Sequence, residues 1–224
     1  MAERELIDAP SLDHIRTEDE TPMDNIFSER QQRLLVQSLY TGWKPKDADS
    51  FLATQNVGLF YGVHFPPLVP DFLLSLDVKP AQGDELYEKR HRSYFLWEHG
   101  KPPEIVGEIV SNKDGGEFGE KLKIYARIGV WHYFVYDPAR LYGGEALQLF
   151  CFNQGRVERC PDNRFERVGL QLTIWHGTFE NSEANWLRWL DANGKMLPTI
   201  EEVSAKANRL AEKLRELGIN PDDV

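Results

Sequence analysis

Two acidic side chains lie inside stretches of the sequence that otherwise read as buried β-strands. Glu108 lies in the run IVGEIVSNK (105–113), and Asp71 lies in LVPDFLLSL (68–76), directly after Pro70. An ionised acid in an apolar strand is costly unless a cation or hydrogen-bond donors accompany it. Mg²⁺ prefers such oxygen ligands and often takes only one or two carboxylates, with water and phosphate completing its shell. If neighbouring strands bring the two acids together, they can hold one divalent cation that activates water against a phosphodiester.

Further polar side chains follow Glu108 along the chain. Lys121 begins a predicted helix, and Tyr125 lies one turn later on the same helix face. A lysine beside a metal-bound phosphate can neutralise negative charge or orient the attacking water. Ser111 would point to the face opposite Glu108 in a regular strand, unless the strand ends first. Lys121 is therefore a candidate catalytic residue, with Tyr125 and Ser111 as accessory candidates.

Each of these residues also has a purely structural interpretation. Asp71, beside a proline, can form a turn or cap a helix. Glu108 can form a structural salt bridge with an arginine such as Arg92 or Arg127. Lys121 can be a solvated helix residue. At this spacing and in this combination, the residues favour a functional site.

Length and charge indicate one globular domain and limit how it could bind nucleic acid. The 224 residues, 41% of them hydrophobic, supply enough apolar material for one ordinary globular core. Of the net charge of −10, residues 1–30 carry −6 and residues 191–224 carry −2, which leaves −2 for the middle of the chain. The nearly neutral middle permits a phosphodiester substrate, but it argues against tight DNA binding through charge alone.

The sequence gives no sign of a membrane protein. No stretch approaches the roughly 18 apolar residues of a membrane span, and the N-terminus lacks the apolar core of a signal peptide. We therefore expect a cytoplasmic protein with no membrane partner. Cys151 and Cys160 flank an NQG turn and can face each other across a hairpin, where we expect free thiols in a reducing compartment.

The pattern of apolar residues predicts a mixed α/β domain, with a sheet covered by helices, between an acidic tail (1–24) and a C-terminal segment (191–224). The domain itself spans 25–190. A first helix is predicted to be capped by Ser28, with Gln31 completing a capping box. The predicted elements after it are strands over 56–62, 68–78 and 103–111, a helix over 120–129 closed by Gly129, a strand over 130–138, and a meander of antiparallel strands.

The C-terminal segment contains an amphipathic helix, capped by Thr199 with Glu202 three residues later. Its apolar residues recur at helical spacing: Val203, Ala207, Leu210, Leu214 and Leu217. A short helix of this kind either docks on its own domain or pairs with the same helix of a second chain. We expect a homodimer, because the polar run DANGKMLPT separates the helix from the sheet.

Two runs, VPDFLLSLDV (69–78) and PPEIVGEIVSNKDGGEFGEKLKIYARIGVWHYFVYDP (102–138), resemble the bacterial Uma2 family of restriction endonucleases. This family is a branch of the PD-(D/E)XK nuclease superfamily. The resemblance covers about residues 28–180 and is carried by these positions: Pro70-Asp71, Glu108 with Ser111, Lys121 with Tyr125, Gly129-Val130 and Tyr133. It implies a restriction-endonuclease-like α-β-β-β-α-β core and an endonuclease that cuts nucleic acid, DNA above all, with Mg²⁺ or Mn²⁺. It also implies two active sites, hence a dimer, where both strands are cut.

Carried over to this chain, the resemblance makes Asp71 and Glu108 the metal-binding acids. Glu29 is an accessory candidate, as a counterpart of the acid that many members of the superfamily place on the first helix. An acid in the first turn is more often structural, because the helix macrodipole favours it there. One departure stands out, because the superfamily pattern has lysine two residues after the second acid and this chain has Val110. Lys121 replaces it from the following helix in this interpretation.

A second function from another class fits the same features. A catalytically inactive protein with the nuclease fold, serving as a binding or oligomerisation module, is favoured by Val110 and by the nearly neutral middle of the chain. The two functions differ in geometry. The enzyme requires Asp71 and Glu108 close together with the Lys121 amine beside them. It also predicts that Glu108→Ala leaves the fold intact or more stable, since removing a buried acid relieves its desolvation.

Overall fold

A computed structural model describes residues 25–113, 116–153, 156–160 and 162–221. The predicted acidic tail (1–24) lies outside the described residues. The strands are β1 (Phe51–Thr54), β2 (Leu59–Phe60), β3 (Phe72–Leu76), β4 (Tyr94–Phe95), β5 (Ile105–Ile109), β6 (His132–Tyr136), β7 (Leu147–Asn153), β8 (Arg156–Arg159), β9 (Arg164–Phe165), β10 (Leu170–Phe179) and β11 (Ser182–Asp191). The α-helices are α1 (Ile26–Gly42), α2 (Leu96–His99), α3 (Leu122–Ile128) and α4 (Ile200–Glu216).

A six-stranded mixed sheet forms the centre of the fold. Its strand order is β1-β3-β5-β6-β7-β8. The β5–β6 pair is parallel, and the other neighbours are antiparallel. A second, antiparallel sheet has the order β11-β10-β9, and β2 pairs with β4 in parallel. This is the mixed α+β architecture that the sequence predicts, with a restriction-endonuclease-like arrangement of sheet and helices.

The three inner strands β3, β5 and β6 are buried along their whole length, because both faces of the sheet are covered. Leu35 of α1 and Trp189 of β11 pack on one face, against Phe72 and Phe134. Tyr125 of α3 packs on the other face. Helices α1 and α3 therefore approach the sheet from opposite sides, and residues that alternate along β5 face one helix or the other.

Close packing at the middle of β5 explains a glycine beside the buried acid. A Cβ added to Gly107 would lie 2.0 Å from the ring of Phe134 on the neighbouring strand. Real carbon atoms do not approach so closely, so only glycine lets this ring cross the strand. The ring of Phe134 in turn packs edge-on against Trp189. Gly107 thus ties the strand that carries Glu108 to the core of the fold.

The first helix begins earlier than the sequence predicts. Asn25 is its N-cap, and the Asn25 side chain accepts a hydrogen bond from the Ser28 amide at 3.0 Å. Ser28 lies inside the helix and is buried, so the prediction that it caps the helix is wrong. Gln31 forms no capping box there, since its side chain bonds the backbone N–H and C=O of Leu187 on β11. These bonds attach α1 to the second sheet.

Two strands, β1 and β11, are not predicted from the sequence. Strand β1 (FLAT) is only four residues long and has one buried position, too little to show a period. Strand β11 pairs with β10 over its full length through the turn Glu180-Asn181, where both residues have positive φ. That conformation suits a two-residue hairpin, but the turn lacks the glycine that would announce it in the sequence. The predicted strand over 56–62 is reduced to the two residues of β2.

The helix after β5 is preceded by a π-helical turn over Glu117–Lys121, so that Lys121 lies at the junction with α3. The predicted end of this helix is confirmed, since Gly129 adopts the left-handed conformation with φ of 87°. A π-helical turn inserts an extra residue into a helix and recurs at functional sites. It sets the direction in which Lys121 leaves the backbone.

Cys151 and Cys160 face each other across the β7–β8 hairpin, with their Cα atoms 5.9 Å apart. The structure joins them as a disulfide, so the prediction of two free thiols is wrong for this structure. The bridge closes a short loop between an inner strand and the exposed edge strand β8. Among the described residues, no helix combines the length and apolar character needed to cross a membrane.

The buried His132 on β6 makes stability depend on pH. Burial lowers the pKa of His132 from 6.5 to about 4, and its Nδ1 atom has no hydrogen-bond partner among the described residues. As the pH falls from 6.5 towards 4, the unfolded chain takes up this proton before the folded chain does, so stability is lost in that window. The loss between pH 7 and pH 5 is about 2 kcal/mol from this residue. We expect His132→Phe to abolish that part of the loss in urea melts.

The control for this prediction is His64→Phe, since His64 is exposed. It should leave the difference in unfolding free energy between pH 7 and pH 5 unchanged. The same loss in the His132→Phe protein as in the parent would show that His132 does not cause it.

Candidate active site

The two acids of the sequence prediction come from neighbouring strands of the central sheet. Asp71 directly precedes β3, and Glu108 lies near the end of β5. The antiparallel register pairs Phe72 with Gly107, so Asp71 and Glu108 follow this last pair at the same end of the two strands. Both side chains are buried, with 8% of Asp71 and 3% of Glu108 exposed.

Both oxygens of Glu108 accept hydrogen bonds from the helical segment that follows β5. Lys121 Nζ lies 2.9 Å from Glu108 Oε2, and the Tyr125 hydroxyl lies 2.9 Å from Oε1. The cationic partner of Glu108 is therefore Lys121, not the arginine considered as a structural alternative. Lys121 keeps 24% of its side chain exposed, so its amine reaches from the buried acid towards solvent.

The electrostatics of this cluster follow from burial and from the pairing of charges. Burial raises the pKa of Glu108, and the nearby Lys121 amine opposes that rise. Burial works to lower the pKa of Lys121, but the carboxylates of Glu108, Glu117 and Asp71 outweigh it and raise the pKa. Burial raises the pKa of Tyr125 well above its usual value, and the carboxylate of Glu108 adds to the effect. Lys121 therefore stays a cation and Tyr125 a neutral hydrogen-bond donor.

Asp71 is held by one donor from helix α1 and one from the backbone of β5. Its Oδ1 accepts a hydrogen bond from Gln32 Nε2 of α1 at 2.9 Å, and its Oδ2 accepts one from the backbone N–H of Ile109 at 2.6 Å. Asn56 Nδ2 donates to Gln32 Oε1 at 2.8 Å. Because that bond occupies the amide oxygen, the amide nitrogen of Gln32 must point at the acid. The carboxylate of Asp71 is thereby fixed against β5.

Sequence reasoning missed Gln32 and Asn56. The available signal was a pair of adjacent glutamines on the inward side of α1, where an apolar residue is usual; both are fully buried. Asn56 gives a weaker signal, because its positive φ of 50° appears only in the structure. Neither residue could be connected to Asp71 without knowledge of how α1 crosses the sheet.

A third acid, Glu117, lies close to the cluster and is also buried. Its Oε2 accepts a hydrogen bond from the Tyr142 hydroxyl at 3.0 Å, and its backbone carbonyl accepts one from Tyr133 at 3.1 Å. Glu117 begins the π-helical turn that ends at Lys121. The two tyrosines thus fix the start of the turn, and the Glu108 carboxylate fixes its end.

The two remaining accessory candidates are Ser111 and Glu29. Strand β5 ends at Ile109, and Ser111 is an exposed residue beyond it. Glu29 lies in the first turn of α1, one turn before Gln32, and its carboxylate accepts a bond from Arg33 at 2.6 Å. Arg33 also binds Glu180 in the β10–β11 turn. The helix residue that contacts Asp71 is Gln32, and any role of Glu29 at the site stays a prediction.

The donor set fits a hard divalent cation with few protein ligands. Asp71 and Glu108 offer carboxylate oxygens, and each Glu108 oxygen accepts one hydrogen bond where two lone pairs are available. Within the described parts of the chain, no group of three or more His, Cys, Asp or Glu residues could hold a metal ion. A metal bound here would have two carboxylate ligands, and water or phosphate would fill its other positions, as Mg²⁺ accepts.

One comparison with known proteins gives a match that spans these residues. A family model described as "Putative restriction endonuclease", named Uma2, matches residues 16–174, more than two thirds of the chain. The match includes both acids, Lys121 and Tyr125, and it ends within β10. A search of curated proteins found no match to the chain.

The hydrogen bonds to Asp71 generate a prediction about Gln32. Gln32→Leu removes the buried donor to Asp71 and the acceptor of Asn56, and unsatisfied buried polar groups cost about 1–3 kcal/mol. We expect a loss of unfolding free energy in this range in urea melts. Gln37→Leu is the matched control, since Gln37 is half-buried on the same helix. Equal effects of the two changes would contradict the role given to Gln32.

Proposed function

The chain belongs to the Uma2 family of restriction endonucleases, and from that premise we propose that it is an endonuclease that hydrolyses phosphodiester bonds of DNA with Mg²⁺ or Mn²⁺. The proposal includes a cytoplasmic location, where chromosomal and foreign DNA are the available substrates. It rests on one observation above all: the Lys121 amine binds the buried Glu108 near the end of β5, and the buried Asp71 binds the backbone N–H of the next residue, Ile109.

The position of the lysine supports activity. The residue two places after Glu108 is Val110, a buried side chain that packs with Tyr125 and Val130. A lysine there would have to enter an apolar cluster. The cation reaches Glu108 instead from the junction of the π-helical turn and α3, and the bond of 2.9 Å places it beside the acid. The departure from the usual spacing therefore does not leave the acids without a cation.

Each residue has a distinct task in the proposed reaction. Asp71 and Glu108 would hold the metal, which when bound supplies positive charge against the phosphate and lowers the pKa of attacking water. Gln32 and the Ile109 amide keep the Asp71 carboxylate in place, and Tyr125 does the same for Glu108. Lys121, with its amine between the acid and solvent, would donate to a phosphate oxygen and oppose the charge that develops there.

The second candidate function is a catalytically inactive module with the nuclease fold. The observation that favours it is the exposed apolar face of α4, which suits assembly rather than catalysis. The two candidates separate in a cleavage assay on linear, supercoiled and single-stranded DNA with Mg²⁺ and with Mn²⁺. An inactive module would leave every substrate intact with either metal.

We expect Asp71→Asn, Glu108→Gln and Lys121→Met each to lower the rate of cleavage about 10²-fold or more, the usual effect of removing one electrostatic group from an active site. The measurement is single-turnover cleavage of DNA with Mn²⁺. Lys123→Met is the matched control, because Lys123 is exposed on the same helix and should tolerate the change. Full activity of the Lys121→Met protein would remove Lys121 from the mechanism.

A second prediction separates the metal site from catalysis. Lys121→Met leaves the buried Glu108 without its cation, which should cost about 3 kcal/mol of unfolding free energy. A metal at the two acids replaces that cation, so Mn²⁺ should stabilise this variant more than the parent. The gain is about 2.7 kcal/mol at a metal concentration 100 times the dissociation constant. Urea melts with and without Mn²⁺ measure both effects.

Glu108→Ala is the complementary variant, which removes the acid and keeps the lysine. The partly exposed Lys121 can turn to solvent when its partner is removed. This variant should be as stable as the parent or more stable, in contrast to Lys121→Met, and it should not respond to Mn²⁺. An equal response to Mn²⁺ in all three proteins would place the metal elsewhere. A large loss in Glu108→Ala without a metal effect in the parent would make Glu108 a structural ion-pair residue.

A further inference from the structure

Helix α4 is anchored to the domain by its first turn. Arg188 of β11, a buried residue, donates to both carboxylate oxygens of Glu202 at 2.8 and 2.7 Å. The guanidinium also lies over the ring of Trp175 at 4.9 Å and donates to the Leu197 carbonyl. Thr199 and Glu202 form the predicted capping box. The start of the helix therefore has a fixed position on the second sheet.

Beyond that turn the helix presents its apolar face to solvent. Within Ile200–Glu216 no residue is buried. Leu210, in the middle of the face, is 52% exposed, and Leu217 is 75% exposed. The helix has not docked on its own domain, which was one of the two arrangements that the sequence left open. An apolar stripe of this length on a monomer is typical of an interaction surface.

We propose that this face pairs with the same face of a second copy of the chain, with the two helices antiparallel. The apolar positions recur at alternating spacings of three and four residues, as in a coiled-coil seam. Read in opposite directions, the stripe matches itself: Ile200 lies opposite Leu217, Val203 opposite Leu214, and Ala207 opposite Leu210. Each contact occurs twice about a two-fold axis, as a closed dimer requires.

Charge selects the antiparallel direction. The first turn of α4 carries Glu201 and Glu202, and the last turn carries Lys213 and Arg215 against one acid, Glu216. Antiparallel helices place the acidic end of one beside the basic end of the other, and their macrodipoles are opposed. Parallel helices would align like charges along the whole pair. The charges and dipoles of the helix ends therefore favour the antiparallel direction.

The size of the surface sets the expected strength. A 17-residue helix is about 26 Å long, so a pair of such helices lies at the low end of stable interfaces, near 1,200 Å². We expect a dimer that dissociates in the micromolar range. Sedimentation equilibrium of the full chain from about 1 to 100 μM should show this transition. The assay needs no DNA and no metal, so its outcome is independent of nuclease activity.

Point variants test which surface is used. Leu210→Glu places a charge at the centre of the seam and should give a monomer at every concentration. Leu86→Glu is the matched control, since Leu86 is an equally exposed leucine (57%) outside α4, and it should leave the dimer intact. A chain that ends after Ser204 keeps the Glu202–Arg188 contact and should also be monomeric. Far-UV circular dichroism confirms that each variant is folded.

Cross-linking tests the direction. Chains with Ile200→Cys and chains with Leu217→Cys, mixed and oxidised, should form the mixed disulfide dimer, and neither variant alone should cross-link efficiently. The parent chain, with Cys151 and Cys160 only, gives the background. Efficient cross-linking of Leu217→Cys with itself indicates parallel helices and overturns the proposal. A monomeric parent, a larger assembly, or a dimer that survives Leu210→Glu overturns it as well.

Discussion

The buried carboxylate of Glu108 is the constraint around which the site is built. An acid with 3% exposure on an inner strand needs donors for both oxygens. The chain supplies them from one segment, the π-helical turn and α3, through Lys121 and Tyr125. Two tyrosines hold the start of that turn through Glu117. The helix that covers this face of the sheet is thus positioned by one buried charge as well as by apolar packing.

Asp71 is a second buried acid that needs donors, and one of its donors comes from the helix on the other face of the sheet. Helices α1 and α3 cover opposite faces, yet a residue from each reaches the pair of acids: Gln32 from one side and Lys121 from the other. The Asp71 carboxylate also binds the backbone of β5 at Ile109, so the two acids are connected through the strand itself. Movement of either helix would leave a buried acid short of a donor. The polar cluster therefore fixes the relation of both helices to the sheet, and a rigid site is the consequence.

The sequence predicted the parts of this arrangement that depend on strong local patterns. Two acids in apolar strands, a lysine and a tyrosine one helical turn apart, and the helix end at Gly129 can all be read from residue types and spacing. Gln32 and Asn56 could not be found, because their roles depend on where α1 crosses the sheet. The cap at Asn25 was missed because Ser28 and Gln31 have the residue types and spacing of a capping box. Both residues instead lie inside the helix and are buried. Strand β11 was missed since its turn uses Glu180 and Asn181 rather than glycine.

The placement of the lysine on a helix makes the site depend on helical register rather than on strand register. A lysine two residues after the acid would share its strand face automatically, because side chains alternate along a strand. The direction of Lys121 depends instead on the length of the segment before it, since each residue added or removed there rotates the side chain about the helix axis by about 100°. The extra residue of the π-helical turn and the bonds that hold Glu117 direct the Lys121 side chain towards Glu108. Val110, free of any polar task, can then pack in the apolar cluster below α3, and the acid keeps its cation without interrupting the core.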